Sequence, residues 1–164
     1  MSVTYEFLLK LRAIRQYKPD PLRTADLEAI LEAGRWTGSS KNTQDWSFVS
    51  ITDPKRLQEL ADHGIFTDPI RNSVATIVLV KESGGGMFDI GRAAQNMMLA
   101  AKAVGVASCP VTLQDEEAAR VFLGAPEGSV ARYAISLGYP ADDAQPARVG
   151  GRKRASTVIK HDHY

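Results

Sequence analysis

The stretch Thr37-Gly38-Ser39-Ser40-Lys41-Asn42-Thr43-Gln44-Asp45-Trp46-Ser47-Phe48 sets small and amide side chains between a helical pattern and an apolar strand. Gly, Ser, Asn and Gln let a ligand approach the backbone closely and offer donors and acceptors along its edge. Arg12 and Arg15 lie upstream, and Arg152, Lys153 and Arg154 lie far downstream. An amide-rich loop with two cationic clusters suits a ligand with one polar planar part and one anionic part, such as a phosphorylated ring cofactor. Taken singly, each cluster has a plainer reading. Arg12 and Arg15 stand at i, i+3, where both can reach one anion from a helix end, yet such a pair is more often a solvated charged face. The downstream cluster reads as a solvated tail, a phosphate clamp or a nucleic-acid patch. With no interleaved aromatic residues, the nucleic-acid reading is the weakest.

Other candidate chemistries fail on spacing. Gly84-Gly85-Gly86 sits between an apolar strand and a helix, and Gly86 to Gly91 has the spacing of a phosphate loop. The following Arg92 and Ala93 are not the Lys and Ser/Thr that such a loop needs, and Asp89 occupies the third glycine of a dinucleotide fingerprint. The triglycine is therefore a flexible connection. Cys109 lies in an apolar stretch and reads as a packed thiol rather than half of a cysteine–histidine pair. His161 and His163 flank Asp162 near the chain end with no third metal ligand at helical spacing, and metal is not expected. Ser39 and Ser40 lack the nucleophile elbow. Trp36 and Trp46 bracket the polar loop and read as core anchors.

The elements that must position these groups alternate along the chain. Tyr5 to Ala13 reads as a short helix with Phe7, Leu8 and Leu11 on one side. After Pro19-Asp20-Pro21, Thr24 is the expected N-cap of a helix with Asp26 and Glu28 in its first turn and Leu27, Ile30, Leu31 and Gly34 facing inward. Phe48 to Thr52 reads as a strand. Asp53-Pro54 then supplies an N-cap and a proline at the first helical position, with Gly64 ending that helix. Ala75 to Val80 is a continuous apolar, β-branched run, expected as a strand buried on both faces. Met87 to Val104 is a long helix stopped by Gly105, with a core face of Ile90, Ala94, Met97, Met98 and Ala101. Val106 to Thr112 is a short apolar stretch, Asp115 caps a helix ending at Gly124, and Arg132 to Leu137 is the last strand, closed by Gly138-Tyr139-Pro140. From Ala141 the chain is polar and basic without a core-filling period, so a tail laid along another surface or left in solvent is expected. Strands interleaved with helices predict α/β or α+β architecture without fixing the strand order.

Composition excludes several classes. With 164 residues, 44% hydrophobic and 24% charged, the chain is expected to form one soluble domain over 1–164. Twenty basic against nineteen acidic residues leave a net charge of +1, so no global field recruits nucleic acid or membrane. One cysteine precludes an internal disulfide and suits a reducing cytoplasm. No apolar run approaches the ~18 residues of a membrane span, and the N-terminus lacks a signal-peptide layout.

In order along the chain, these residues resemble the FMN-dependent nitroreductase family. Leu11-Arg12-Ala13-Ile14-Arg15-Gln16-Tyr17 is similar to its opening Arg-Arg-Ser/Ala-Ile/Val-Arg-x-Phe/Tyr element. Gly34 to Trp46 resembles its Arg-Trp-Ala-Pro-Ser-x-x-Asn-x-Gln-Pro-Trp loop. Asp89-Ile90-Gly91-Arg92-Ala93-Ala94-Gln95-Asn96-Met97-Met98-Leu99-Ala100-Ala101 is similar to its central helix, and Gly105-Val106-Ala107-Ser108-Cys109-Pro110 continues as that family does. Leu137-Gly138-Tyr139-Pro140 and Gly151-Arg152-Lys153 match the closing strand and basic tail.

The resemblance implies a three-layer α+β fold with a central, mostly antiparallel sheet flanked by helices. It also implies a homodimer with exchanged C-terminal tails and FMN at the subunit interface. Arg12, Ala13 and Arg15 would hold the flavin phosphate and ribityl chain, with Arg152 and Lys153 closing on the phosphate. Ser39, Ser40 and Asn42 would come from the partner subunit, and Pro110, Val111 and Thr112 would run past the flavin ring. The implied activity passes hydride from NADH or NADPH through FMN to an electron-poor small molecule such as a nitroaromatic or quinone, with no catalytic acid or base side chain. Enone reduction, dehalogenation or a flavin-binding dimer without turnover are the alternatives. Leu11 and Ala13 stand where many members carry Arg and Ser, which implies modest flavin affinity. Asp45 replaces the usual proline of the loop, and the segment from Gly64 to Val74 is too short for a large covering insertion.

Overall fold

A computed structural model describes residues 3–146 and 151–163. Its core strand is β2 (Ala75–Lys81), whose first six residues are all buried. Period-two alternation sends its side chains to opposite faces. Ala75, Ile77 and Leu79 pack with Ile30 of α2 (Thr24–Arg35) and with Ile90, Ala93, Met97 and Ala101 of α5 (Met87–Ala103). Val78 and Val80 face the other way, onto Leu57 and Leu60 of α3 (Pro54–Ala61), Ile70 of α4 (Asp68–Arg71) and Ala119 of α6 (Glu116–Leu123). One doubly buried strand thus dictates three layers, two helices on one face and three on the other.

The sheet order is β1-β2-β4-β3, with β1 (Trp46–Ile51), β3 (Ala107–Thr112) and β4 (Val130–Gly138) completing it. Every pairing is antiparallel, so the expected mostly antiparallel sheet is wholly so among the described residues. A register shift between Leu79 and Lys81 adds a residue to β4. That bulge puts Ala131 and Ala134, three apart, on the same face. Gly34 sits where α2 crosses α5, and a Cβ there would come within 2.0 Å of the Met97 methyl.

Several expected boundaries move. The first helix, α1 (Val3–Leu9), stops short of Ala13, because residues beyond it leave the helix to pair with β3. Arg23, not Thr24, is the N-cap of α2 and makes no side-chain cap bond. Strand β1 begins at Trp46 and ends at Ile51, two residues before and one before the expected limits. Helix α3 ends at Ala61, and the short α4 follows where no helix was expected. On α5 the buried residues are Ile90, Ala93, Met97 and Ala101, so Ala93 joins the expected face while Ala94 and Met98 are only half-buried. Strand β4 begins at Val130 rather than Arg132. Asp53 and Asp115 do cap their helices, accepting from Arg56 N at 2.9 Å and Ala118 N at 3.0 Å. Gly124, at φ +65°, ends α6 in the left-handed conformation that glycine allows.

Candidate active site

The arginine segment runs extended along the outer edge of β3. Ile14 N donates to Ser108 O at 3.1 Å, and Tyr17 bridges to Pro140 just beyond β4. The Tyr17 hydroxyl lies 2.8 Å from both Ile14 O and Ser136 Oγ, and Ser136 Oγ reaches Cys109 O at 3.2 Å. This partly buried relay ties the arginine segment to β3 through β4. Burial pushes the Tyr17 phenol well above its usual range, against the opposing hydrogen bond from Ser136. Gly138 makes the contact possible, because a Cβ there would lie 2.7 Å from Tyr17 Cβ.

Within this segment Arg12 and Arg15 are exposed, and Ala13 is half-buried between them. Arg12 Nη1 donates to Leu9 O and Leu11 O, both at 2.7 Å, and so caps the end of α1. Arg15 lies beside Cys109, whose thiol is nonetheless raised above its usual value because burial outweighs the cation.

Strand β3 presents one edge to β4 and the other outward. Leu113 N donates to Arg132 O at 2.8 Å, so the two-residue alternation of an antiparallel ladder turns Val111 inward and Ser108, Pro110 and Thr112 outward. Pro110 is exposed and has no N–H, which suits an edge position. The N–H of Thr112 is therefore the donor that the Pro110–Thr112 stretch offers outward. Val111 is 6% exposed and packs in the core, turned away from this edge. Arg12, Ala13 and Pro110 line one cavity of about 150 Å³ with Leu11, Met98 and Ser108. A second, of about 330 Å³, shares Leu11, Arg12 and Ser108 with it and extends to Lys10, Lys102 and Pro146.

The polar loop forms a separate cluster. Lys41, Asn42 and Gln44 adopt φ of 51°, 55° and 54°, a left-handed conformation uncommon for residues with a side chain. Three such residues in four are held by specific bonds. Ser39 Oγ accepts from Gln44 N at 2.9 Å, and Ser40 N donates to Asp89 Oδ2 at 3.1 Å. Arg92 Nη1 donates to Gly38 O at 2.7 Å, and Asn96 Nδ2 to Thr37 Oγ1 at 2.8 Å. Asp89, Arg92 and Asn96 follow i, i+3, i+7 on α5, a helical stripe that clamps the loop. Trp36 is 75% exposed, so it is no core anchor; Trp46 is half-buried and stacks on Phe48 with ring centroids 6.0 Å apart.

Ser39, Ser40 and Asn42 are thus brought to the start of α5, whereas Arg12, Ala13 and Pro110 lie by Met98 and Lys102 near its end. At 1.5 Å per residue the two groups stand roughly 14 to 20 Å apart along the helix. Arg152 and Lys153 are exposed in the described part of the tail, which carries a short helix α7 (Ala155–Val158), and they line neither cavity beside Arg12. The stripe on α5 could have been read from its spacing. The convergence of Lys10 with Lys102 had no sequence signal, since 92 positions separate them.

Among the described residues no group of three or more His, Cys, Asp or Glu side chains is placed to hold a metal ion, and no helix is long and apolar enough to cross a membrane. A four-stranded antiparallel sheet flanked by helices, with a strained amide loop at one end of its central helix and cationic segments at the other, defines an α+β protein. Residues 9–82 and 80–139 match the nitroreductase family, and the chain belongs to it. It is 30% identical over 154 residues to an Archaeoglobus fulgidus protein provisionally named NADH dehydrogenase/NAD(P)H nitroreductase, covering 87% of this chain and 88% of that one. It is 27% identical over 189 residues to the NADPH-flavin oxidoreductase of Vibrio harveyi, covering all of this chain and 75% of that one. The solved NADPH:FMN oxidoreductase of Vibrio harveyi with NAD+ superimposes with a TM-score of 0.88 at 25% identity, over 98% of this chain and 77% of that one.

Proposed function

We propose that the protein is an FMN-dependent NAD(P)H oxidoreductase that reduces electron-poor small molecules, working as a homodimer in the cytoplasm. The observation that carries this is the outward edge of β3. There, Pro110, Ala13 and Arg12 line one cavity and offer a planar ligand an apolar wall and a cation, and ladder alternation turns Thr112 N–H outward on the same strand. The Vibrio harveyi relatives are named for the same cofactor and donor. The chemistry that FMN supplies when bound is hydride exchange between a reduced nicotinamide and an acceptor. This chain's residues hold and polarise. Pro110 and Ala13 would give the ring an apolar bed, and Thr112 N–H would hydrogen-bond a polar ring atom. Arg12 and Arg15 would neutralise negative charge, with Arg152 and Lys153 closing over the phosphate. No acid or base side chain is assigned.

The roughly 14 to 20 Å between the two clusters favours a composite site. A two-fold axis across α5 would set Ser39, Ser40 and Asn42 of one chain beside Arg12 and Pro110 of the other. The exposed face of α5, with Phe88 79% exposed and Met87, Gly91 and Gln95 beside it, suits such an interface. The basic tail would cross to the partner. One domain over 1–164 and a single cysteine fit a cytoplasmic enzyme fed by reduced nicotinamide.

FMN titration by fluorescence quenching tests the assignment. Wild-type protein is expected to bind FMN, and Arg15→Glu to lose retention. An Arg15→Glu variant that keeps its flavin and its activity would remove the phosphate assignment.

A further inference from the structure

Lys10, Arg12 and Lys102 arrive from three separate places and line one cavity of about 330 Å³. Lys10 follows α1, Arg12 lies in the extended segment, and Lys102 is in the last turn of α5. The other walls are mainly apolar, including Leu11, Ile14, Val106 and Pro140. Lys102 Nζ donates to Phe7 O at 2.8 Å and lies 4.6 Å from the Phe7 ring centroid. Burial, with Lys10 and Arg12 close by, holds the Lys102 ammonium below its ordinary value. The carboxylate that meets this group is Glu6, in an exposed pair with Lys10 at 3.2 Å. Arg12 uses one nitrogen on the Leu9 and Leu11 carbonyls, which leaves its other guanidinium donors free of that duty.

Three cations against one carboxylate, in a partly dry cavity, is an arrangement that an anion stabilises and an empty cavity does not. The cavity also shares Leu11, Arg12 and Ser108 with the smaller one beside Ala13 and Pro110. A ligand with its ring on Pro110 could therefore place a phosphate among the three cations.

We infer that Lys10, Arg12 and Lys102 form a binding site for a phosphate monoester dianion, with Lys10 and Lys102 supplying charge at the position where Leu11 cannot. The inference rests on the flavin reading for its ligand. The phosphate has two chemical sources, the 5′-phosphate of FMN and the 2′-phosphate of NADPH.

The experiment measures dissociation constants for FMN and riboflavin on wild type, Lys10→Met and Lys102→Met, and kcat/KM for NADPH and NADH on the same proteins. A charge-assisted bond lost from the phosphate weakens binding by about tenfold or more. The expected result is a preference for FMN over riboflavin that drops by about that factor in each variant, with riboflavin affinity unchanged. If instead the preference for NADPH over NADH drops while the flavin ratio holds, the site stands and its phosphate is that of the nicotinamide nucleotide. Lys10 is exposed outside a helix, so its variant remains informative if Lys102→Met folds poorly. Wild type that prefers FMN, with neither ratio moving in either variant, overturns the phosphate site alone. Wild type that binds neither flavin overturns the flavin reading and the phosphate site with it.

Discussion

Replacing Tyr17 with Phe removes one hydroxyl and isolates the relay between the arginine segment and β3. That hydroxyl lies 2.8 Å from Ile14 O and 2.8 Å from Ser136 Oγ in a half-buried setting. Each neutral hydrogen bond is worth about 1 kcal/mol net, and the Ile14 carbonyl loses a partner, so the expected cost is about 2 kcal/mol. For a chain of this size each kcal/mol lowers the melting point by roughly 2–4 °C, giving a drop of about 4–8 °C by calorimetry. The phenylalanine ring keeps the contact with Gly138, so the loss belongs to the hydroxyl alone. A double-mutant cycle with Ser136→Ala should show coupling of about 1 kcal/mol, because the two groups share one bond. FMN affinity should fall as well, since Ile14 and Arg15 lose their tie to β4. A Tyr17→Phe protein that melts within 1 °C of wild type, or a cycle that is additive, refutes the relay.

Acid should weaken the start and end of α2. Asp26 is 4% exposed, accepts from Arg23 at 2.7 Å and 2.9 Å and from Tyr139 at 2.6 Å, and is held below its usual range mainly by Arg23. Arg35 and then Trp36 bring Glu32 down to about 2. A folded pKa below the unfolded one stabilises above about pH 4 and is lost as the pH falls through the folded value. Melting points should therefore fall between roughly pH 4 and 2. Asp26→Asn should melt below wild type at pH 7, by a margin that narrows as the pH falls below about 4; a constant difference contradicts the assignment. The composite site makes a second prediction. Arg15→Glu and a variant lacking Ser39 and Ser40 should each lose flavin alone, yet co-expression should restore about a quarter of the sites, since half the dimers are mixed and each has one intact site. No recovery contradicts a shared site.

The layers were legible because the run from Ala75 to Val80 could only be buried on both faces, and α5 had a full apolar stripe. Asp53-Pro54 and Asp115 marked helix starts through cap chemistry that needs no tertiary context. The amide loop was legible as a ligand loop from residue type. Its left-handed backbone and its clamp by Asp89, Arg92 and Asn96 emerge only in three dimensions. The end of α1 was misread because Leu11 fits a helical period, while the edge of β3 draws Ile14 into an extended pairing. The cap of α2 was misplaced because Asp26 is held by Arg23 and Tyr139, a partner 113 residues away. The bulge in β4 and the meeting of Lys10 with Lys102 depend on packing between distant segments, which local patterns do not encode.

Anaerobic addition of NADPH to the purified, FMN-loaded protein, followed by visible absorbance and then by an electron-poor acceptor such as a nitroaromatic, tests the central claim most directly. The account predicts that the flavin band bleaches on adding NADPH or NADH and returns, with stoichiometric acceptor consumed, when the acceptor is added. A flavin band that neither nicotinamide bleaches would contradict it, leaving a protein that binds flavin without turning it over.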